Sequence, residues 1–223
     1  MTKKQIIKIM SRVSQVHGPP WRVHRDLLIL DANHWFLSCF AGGGSRWDRE
    51  LFGGMLYVQP LFDAAAAIGS RYCVPIEGGR GIGWSLEFLP ETEIAAELHE
   101  KLAQAWQLFR AIANPEGFVA NARAVETRKR PLRFDPFWPL ERDLACAHIV
   151  LGQADEAMVH LRRAREGLEL SAAVKATLSP EEHFPFIQRL TAAVEAGDGS
   201  ALAMLEAIRE DNVQRLGIAE ICH

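Results

Sequence analysis

The chain changes its hydrophobic periodicity at Pro90, and this change constrains the fold more than any other feature. Between Trp21 and Phe88, apolar residues fall in short runs rich in β-branched and aromatic side chains, which is typical of strands. After Pro90, apolar residues recur every three or four positions, as in Ile94, Leu98 and Leu102, which is typical of amphipathic helices. Strands followed by helices, rather than alternating with them, predict an α+β fold.

The part before Pro90 predicts one helix and a largely antiparallel sheet. Thr2 and Gln5 have the spacing of a capping box, at the start of a helix that extends to about Val16. Strands are predicted over Trp21–Leu30, His34–Phe40, Met55–Phe62 and Trp84–Phe88, with a long loop over Ala41–Gly54. The segment Ala64–Ile76 is ambiguous, because its alanine run favours a short helix whereas Tyr72–Ile76 is typical of an edge strand. The alternation of Trp84, Leu86 and Phe88 with polar neighbours predicts a sheet with one buried face.

The part after Pro90 predicts helices joined by short turns. Asn114 and Pro115 provide an N-cap and a first helical residue, and a basic, proline-broken stretch from Arg123 to Pro139 predicts a linker. One hairpin is predicted over Leu140–Leu170, with its turn at 151–155, and a second from Ser179 to Arg215, with its turn at 196–199. We therefore predict an α+β domain over 1–126, a linker over 127–139, and helical hairpins over 140–223 that pack on the first domain.

The composition is that of an ordinary globular protein. With 223 residues, of which 48% are hydrophobic and 24% charged, the chain can bury a core without disulfides and is not disordered. Its four cysteines are far apart, which predicts small buried residues rather than a disulfide framework. The first residues predict a helix rather than a signal peptide, and no apolar run reaches membrane-spanning length, so we expect a cytoplasmic protein.

The charge is unevenly distributed along the chain. Residues 1–60 contain 8 Lys/Arg against 4 Asp/Glu, whereas residues 141–223 contain 8 against 14. Such a gradient can steer a partner, but solvated helix faces produce the same counts, and we favour that explanation. The net charge of −3 gives no reason to expect binding to nucleic acid or to an anionic membrane.

No sequence motif indicates catalysis, a metal or a cofactor. The glycine-rich segment Glu77–Gly83 lacks the G-x-G-x-x-G and G-K-[ST] patterns and precedes a predicted strand, so we expect a hairpin loop. Neither the pair His24 and His34 nor the pair His148 and His160 has zinc-site spacing. A catalytic site assembled only in space stays open, since such sites carry no sequence spacing. The sequence thus favours a non-enzymatic function and leaves an enzyme possible.

Basic and aromatic residues are interleaved between Arg123 and Trp138. Such a pattern can grip phosphates and stack bases, but the three prolines favour a linker whose aromatics pin it to the core. We therefore expect no nucleic-acid partner.

Residues 144–164 resemble one tetratricopeptide-type helical hairpin. Small residues at Ala145, Gly152 and Ala157 have the spacings that let two such helices approach closely, although Glu141 stands where that repeat has a large apolar residue. The resemblance implies a packing surface and, more weakly, a peptide-binding groove. Two irregular hairpins are too few for a free-standing solenoid.

The first 120 residues or so resemble a broad set of uncharacterised bacterial proteins of unknown function. The resemblance rests on the helix–strand order, on Tyr57-Val58-Gln59-Pro60-Leu61-Phe62, and on the small-residue stretch with Gly69 and Arg71. Some members of this set are similar to immunity or accessory proteins of toxin systems. The resemblance implies an α+β domain and no catalytic residue, and the alanine run after Phe62 departs from the pattern.

Two functions are compatible with these observations. The first is a non-enzymatic protein-binding function, immunity-like or adaptor-like, that uses the sheet face or the hairpins. The second is an enzyme or a binder of a small anionic ligand, with a pocket between sheet and helices. The speculative ligand-binding residues of that pocket are Arg46, Trp47, Arg71 and Arg80.

Overall fold

The structure, a computed structural model, describes residues 2–17, 21–44, 51–63, 72–78, 83–129, 137–173 and 180–222. The helices are α1 (Lys3–His17), α2 (Glu91–Phe109), α3 (Pro115–Lys129), α4 (Trp138–Val150), α5 (Ala154–Ala173), α6 (Pro180–Ala196) and α7 (Ser200–Leu216). The strands are β1 (Arg22–His24), β2 (Leu27–Ala32), β3 (Phe36–Gly44), β4 (Leu51–Pro60), β5 (Cys73–Ile76) and β6 (Trp84–Ser85). The predicted α+β fold, with an N-terminal helix, an antiparallel sheet and then helices, is confirmed.

The chain divides into two compact units. One contains residues 1–59, 67–113 and 218–223, and the other contains residues 60–66 and 114–217. Helix α3 therefore groups with the later helices, and the predicted linker 127–139 is helical at 127–129 and at 138–139. These bounds differ from the predicted division at 127–139, and the domain assignment stays a prediction.

Two helices of the first unit pack together. The capping box is present, since the Thr2 amide donates to Gln5 Oε1 at 2.8 Å and the Gln5 amide donates to Thr2 Oγ1 at 3.3 Å. The apolar stripe of α1 is buried from Ile6 to Val13, whereas Val16 at its end is 66% exposed. In the predicted stripe of α2, Ile94, Leu98 and Leu102 are buried. Glu91 in the first turn of α2 forms ion pairs with Lys8 at 2.8 Å and with Arg12 at 3.3 Å, and both pairs join α2 to α1.

The sheet has the strand order β1-β2-β3-β4-β5, with β6 paired to β4. The described pairings of β1 with β2, β2 with β3, β4 with β5, and β4 with β6 are antiparallel. The predicted edge strand is confirmed as β5, which ends the strand path and tolerates Pro75 there because an edge position does not need every amide.

The predicted single strand over Trp21–Leu30 is wrong, because it is a tight hairpin. His24 pairs with Leu27, which leaves only Arg25 and Asp26 in the turn. Arg25 has a φ of 55°, the left-handed conformation that two-residue hairpins require. The sequence contains no glycine or asparagine at this turn, so the usual hairpin signal is missing.

The predicted loop over Ala41–Gly54 is wrong for its two described ends. Residues 41–44 continue β3 and residues 51–54 begin β4. The glycines that suggested a loop leave room for aromatic side chains instead. A Cβ added at Gly42 would lie 2.6 Å from the Phe52 ring, so the absence of a side chain is what permits this packing.

Substitution of Gly54 by alanine is expected to lower the free energy of unfolding by about 2 kcal/mol, in line with overpacked cores. The added Cβ would meet the Phe40 ring and would lie 2.5 Å from the Ala41 carbonyl oxygen, so backbone as well as side chain must shift. Gly43→Ala is the matched control, because its Cβ would have no neighbour within 4 Å. Urea unfolding of both variants measures the difference, and equal stabilities would contradict the packing argument.

The predicted strand over Trp84–Phe88 is also wrong beyond its first two residues. Ser85 Oγ accepts a hydrogen bond from the Glu87 amide at 3.1 Å, and the Ser85 carbonyl accepts from Phe88 and Leu89. These bonds turn the chain, in the way that serine competes with regular structure. Phe88 is consequently 56% exposed, whereas the prediction placed it on the buried face with Trp84.

The second unit consists of helices, and its start and turns follow the predicted signals. The Asn114 side chain accepts a hydrogen bond from the Gly117 amide at 2.7 Å and caps α3. Helices α4 and α5 form the first predicted hairpin, with Gly152 at a φ of 70°, and α6 and α7 form the second. Both hairpins are confirmed, and Ser179, the predicted N-cap of the second, lies outside the described residues.

Candidate functional site

Helix α4 is buried on all sides, and it carries three consecutive charged residues. Every residue from Trp138 to Ile149 is buried, including Glu141 and Asp143 at 0% exposure and Arg142 at 5%. Charged side chains are almost never fully buried unless they are paired, because the loss of hydration costs several kcal/mol per ion. The three residues therefore mark the most unusual chemistry in the described part of the chain.

The carboxylate of Glu141 lies among three basic side chains from α3 and α5. Arg123 Nη2 donates to Glu141 Oε1 at 2.5 Å, and His160 Nδ1 lies 2.7 Å from Oε2. Arg163 Nε lies 3.2 Å from the same Oε2. Since an ionised carboxylate can only accept hydrogen bonds, the His160 Nδ1–H donates and fixes the tautomer of the ring. One carboxylate thus connects three helices.

These partners keep Glu141 ionised. Burial alone would raise the pKa of the carboxyl group, but the hydrogen bonds from His160 and Arg123 outweigh it and lower the pKa to about 2. A carboxylate with so low a pKa is a poor proton donor or acceptor near neutral pH. The geometry indicates a connecting role rather than general acid–base catalysis.

Arg142 points to a second set of acidic groups. Its Nη2 donates to Asp63 Oδ1 at 2.7 Å and to Asp143 Oδ1 at 2.8 Å, and its Nε donates to Asp143 Oδ1 at 3.0 Å. The guanidinium carbon lies 5.8 Å from the centre of the Trp138 ring, within range of a cation–π contact. Burial disfavours the charged guanidinium, but Asp143 and Asp63 outweigh it and raise the pKa of Arg142.

Asn212 of α7 holds the backbone of the same segment. Its amide nitrogen donates to the carbonyl oxygens of Leu61 at 2.7 Å and Asp63 at 2.8 Å. The Asn212 side-chain oxygen in turn accepts a hydrogen bond from Arg215. Residues 61–63 are therefore held in two ways. Arg142 of α4 binds the side chain of Asp63, and Asn212 of α7 binds the backbone carbonyl groups of Leu61 and Asp63.

His148 and His160, which the sequence placed on the two arms of the first hairpin, stack on each other. Their ring centroids are 5.0 Å apart and their planes differ by 14°. His148 Nδ1 lies 2.7 Å from Gln153 Oε1 in the turn between α4 and α5. Both histidines therefore contribute to packing within the hairpin.

The environment of the cysteine thiols disfavours a role as nucleophiles. All four cysteines are buried thiols and not members of disulfides, as predicted. Burial raises the pKa of Cys146, and it raises the pKa of Cys39 to about 12. Since the thiolate is the reactive form, these two side chains behave as small apolar residues.

The four predicted ligand-binding residues, Arg46, Trp47, Arg71 and Arg80, lie outside the described residues. The anionic-ligand hypothesis that names them stays a prediction. Of the basic and aromatic stretch, Arg123 contacts Glu141, and Trp138 is a buried residue of α4 whose ring is tilted by 43° against that of His183, with centroids 4.6 Å apart.

The sequence reasoning missed the role of Glu141, Arg142 and Asp143. It noted Glu141 only as a departure from the tetratricopeptide pattern. The available signal was three adjacent charged residues at the start of an otherwise apolar helix. Because three consecutive residues point in different directions around a helix, they do not form one face that could be turned to solvent. Their partners come from distant positions, such as Asp63, so the sequence could not have identified them.

Two properties of the described residues bear on the kind of chemistry that this chain can support. Within the ranges that the structure describes, no group of three or more His, Cys, Asp or Glu side chains is arranged to hold a metal ion. Among the helices of those same ranges, none has the length and apolar character needed to cross a membrane.

Comparisons with known proteins give no relative from which a role could be transferred: no family model, no curated protein and no solved structure matches the chain.

Proposed function

We propose that the chain is a non-enzymatic binding protein, immunity-like or adaptor-like, whose helical unit docks onto another protein. The observation that carries the proposal is the solvent-facing side of α5. Val159 is 41% exposed and Leu170 is 49% exposed, and both lie on the stripe that also carries Arg162 and Glu166. Large apolar side chains between charged ones are typical of the mixed surfaces that bind proteins.

The buried charges of α4 support this function because they stabilise the scaffold behind α5. Glu141 connects α3, α4 and α5, so a partner would meet a helix that is already fixed in place. A preorganised surface loses less conformational entropy on binding. The side chains with the most reactive chemistry among the described residues are buried and engaged with one another, which favours a scaffold over a catalyst.

Cross-linking in the native cell, followed by affinity purification and mass spectrometry, tests this proposal. We expect the full chain to capture a specific partner, and a Val159→Glu/Leu170→Glu variant to lose most of it. The matched control is Leu202→Glu on α7, which is 40% exposed in the same unit and should leave capture unchanged. Capture that is equal in all three proteins, or absent from the wild type, would overturn the proposal.

A further inference from the structure

The basic side chains of α3 and α5 converge on one side of the helical unit. Residues 157–165 of α5 contain a histidine and three arginines and no acidic residue. Arg123 of α3 joins them, because its guanidinium and that of Arg163 both contact the carboxylate of Glu141. We call Arg123, His160, Arg162 and Arg163 the basic ridge.

The three arginines of the ridge are accessible, whereas the His160 side chain is only 17% exposed and supports them from behind. The side chains of Arg123 and Arg163 are 43% and 39% exposed, although each also reaches the fully buried Glu141. Arg162 is exposed, and its Nε donates to the Met158 carbonyl at 3.3 Å. Long basic side chains normally lose much rotamer entropy when they bind, and the existing contacts of Arg123 and Arg163 with Glu141, and of Arg162 with Met158, reduce that loss.

We infer that the basic ridge binds an acidic segment of a protein partner, an inference that rests on the proposed function and specifies the chemistry of that partner. Guanidinium groups pair with carboxylates in fixed geometry, so arginines suit this role better than lysines. On α5, Arg162 and Arg163 of the ridge flank the outward-facing stripe that carries the exposed Val159 and Leu170. The segment it fits therefore carries glutamate or aspartate beside apolar side chains.

A protein segment fits this surface better than a nucleic acid. Aliphatic side chains such as Val159 and Leu170 offer no stacking platform for bases, whereas they pack well against the apolar residues of a peptide. Glutamates at 166 and 169 also limit the length of the basic surface on α5.

The test measures fluorescence anisotropy of labelled poly-L-glutamate and, separately, of a labelled poly(dT) oligonucleotide, with the full chain. We expect poly-L-glutamate to bind more tightly, with an affinity that falls as salt rises. Arg162→Glu should weaken this binding by about tenfold, because a charge reversal replaces an attraction by a repulsion. Arg162 does not contact Glu141 in the described contacts, so its variant should keep the fold, which circular dichroism checks.

The matched control is Arg189→Glu, an exposed arginine of α6 with the same change of charge. It should leave the affinity for poly-L-glutamate within about twofold of the wild type, because it lies on the other hairpin. Equal losses in the two variants, or no loss in Arg162→Glu, would overturn the inference. Tighter binding of poly(dT) that depends on Arg162 would also overturn it, in favour of a nucleic-acid partner.

The two proposals can fail separately. If the cross-linked partner is lost in the Val159→Glu/Leu170→Glu variant but retained by Arg162→Glu, the binding function stands and the acidic-segment inference fails. If no specific partner is captured although poly-L-glutamate binding depends on Arg162, the ridge is an anion-binding surface and the protein-binding function fails.

Discussion

Replacement of Arg142 by methionine is expected to lower the free energy of unfolding by about 3–5 kcal/mol, the usual cost of removing one partner from a buried ion pair. Methionine fills a similar volume, so the loss does not come from a cavity. It comes from Asp63 and Asp143, which are 9% and 0% exposed and would lose the guanidinium that compensates their charge. Chemical denaturation at neutral pH measures the effect.

The control for Arg142 removes the stranded charges as well. In the triple variant Arg142→Met/Asp63→Asn/Asp143→Asn, the neutral amides no longer require a counter-charge, so a large part of the lost stability should return. If Arg142→Met alone costs less than about 1 kcal/mol, the carboxylates are compensated by other groups and the ion pairs with Arg142 matter little for stability. If the triple variant is as unstable as the single one, the packing of Arg142 against Trp138 explains the loss.

The fold class and the helix ends could be predicted because their signals are local. Thr2 with Gln5 caps α1, Asn114 with Pro115 starts α3, and Gly152 lies at the turn between α4 and α5, as the sequence indicated. Each signal depends on neighbours within one helical turn. The described ends of the later helices were therefore predicted closely, except that α3 continues to Lys129 and α4 begins at Trp138, within the stretch predicted to be a linker.

The strand ends could not be predicted because they depend on distant partners. Gly42 and Gly54 suggested a loop, but each lies in a strand where an aromatic ring from a neighbouring strand occupies the space of the missing side chain. The hairpin turn at Arg25 and Asp26 lacks the residues that normally mark it. In both places the tertiary environment decides a conformation that local propensity does not favour.

The buried charges illustrate the same limit at the candidate site. Glu141 is next to Arg142 in the sequence, yet the two side chains belong to different networks, one with α3 and α5 and one with Asp63. Sequence patterns show that charges occur in an apolar helix, but they do not show which distant group neutralises each of them. The identity of that neutralising group also decides whether a buried charge has a structural or a catalytic role.

Replacement of Glu141 by glutamine is expected to lower the free energy of unfolding by about 3 kcal/mol. The effect is expected only at pH values at which the wild-type carboxyl group is ionised. The folded protein holds the pKa of Glu141 at about 2, against an ordinary value of 4.5 in an unfolded chain. A carboxyl group whose pKa is lowered by folding stabilises the protein fully above its unfolded pKa. That stabilisation is lost as the pH falls from about 4.5 towards about 2, because the unfolded chain takes up the proton first.

The free energies of unfolding of wild type and Glu141→Gln should therefore differ most above about pH 5 and converge as the pH approaches 2. The matched control is Glu166→Gln, which makes the same chemical change at an exposed glutamate of α5 and touches none of the partners of Glu141 described above. Other carboxyl groups titrate in all three proteins, so the difference between the curves isolates Glu141. A gap that stays constant with pH would show that the shape of the side chain, and not its charge, holds α3, α4 and α5 together.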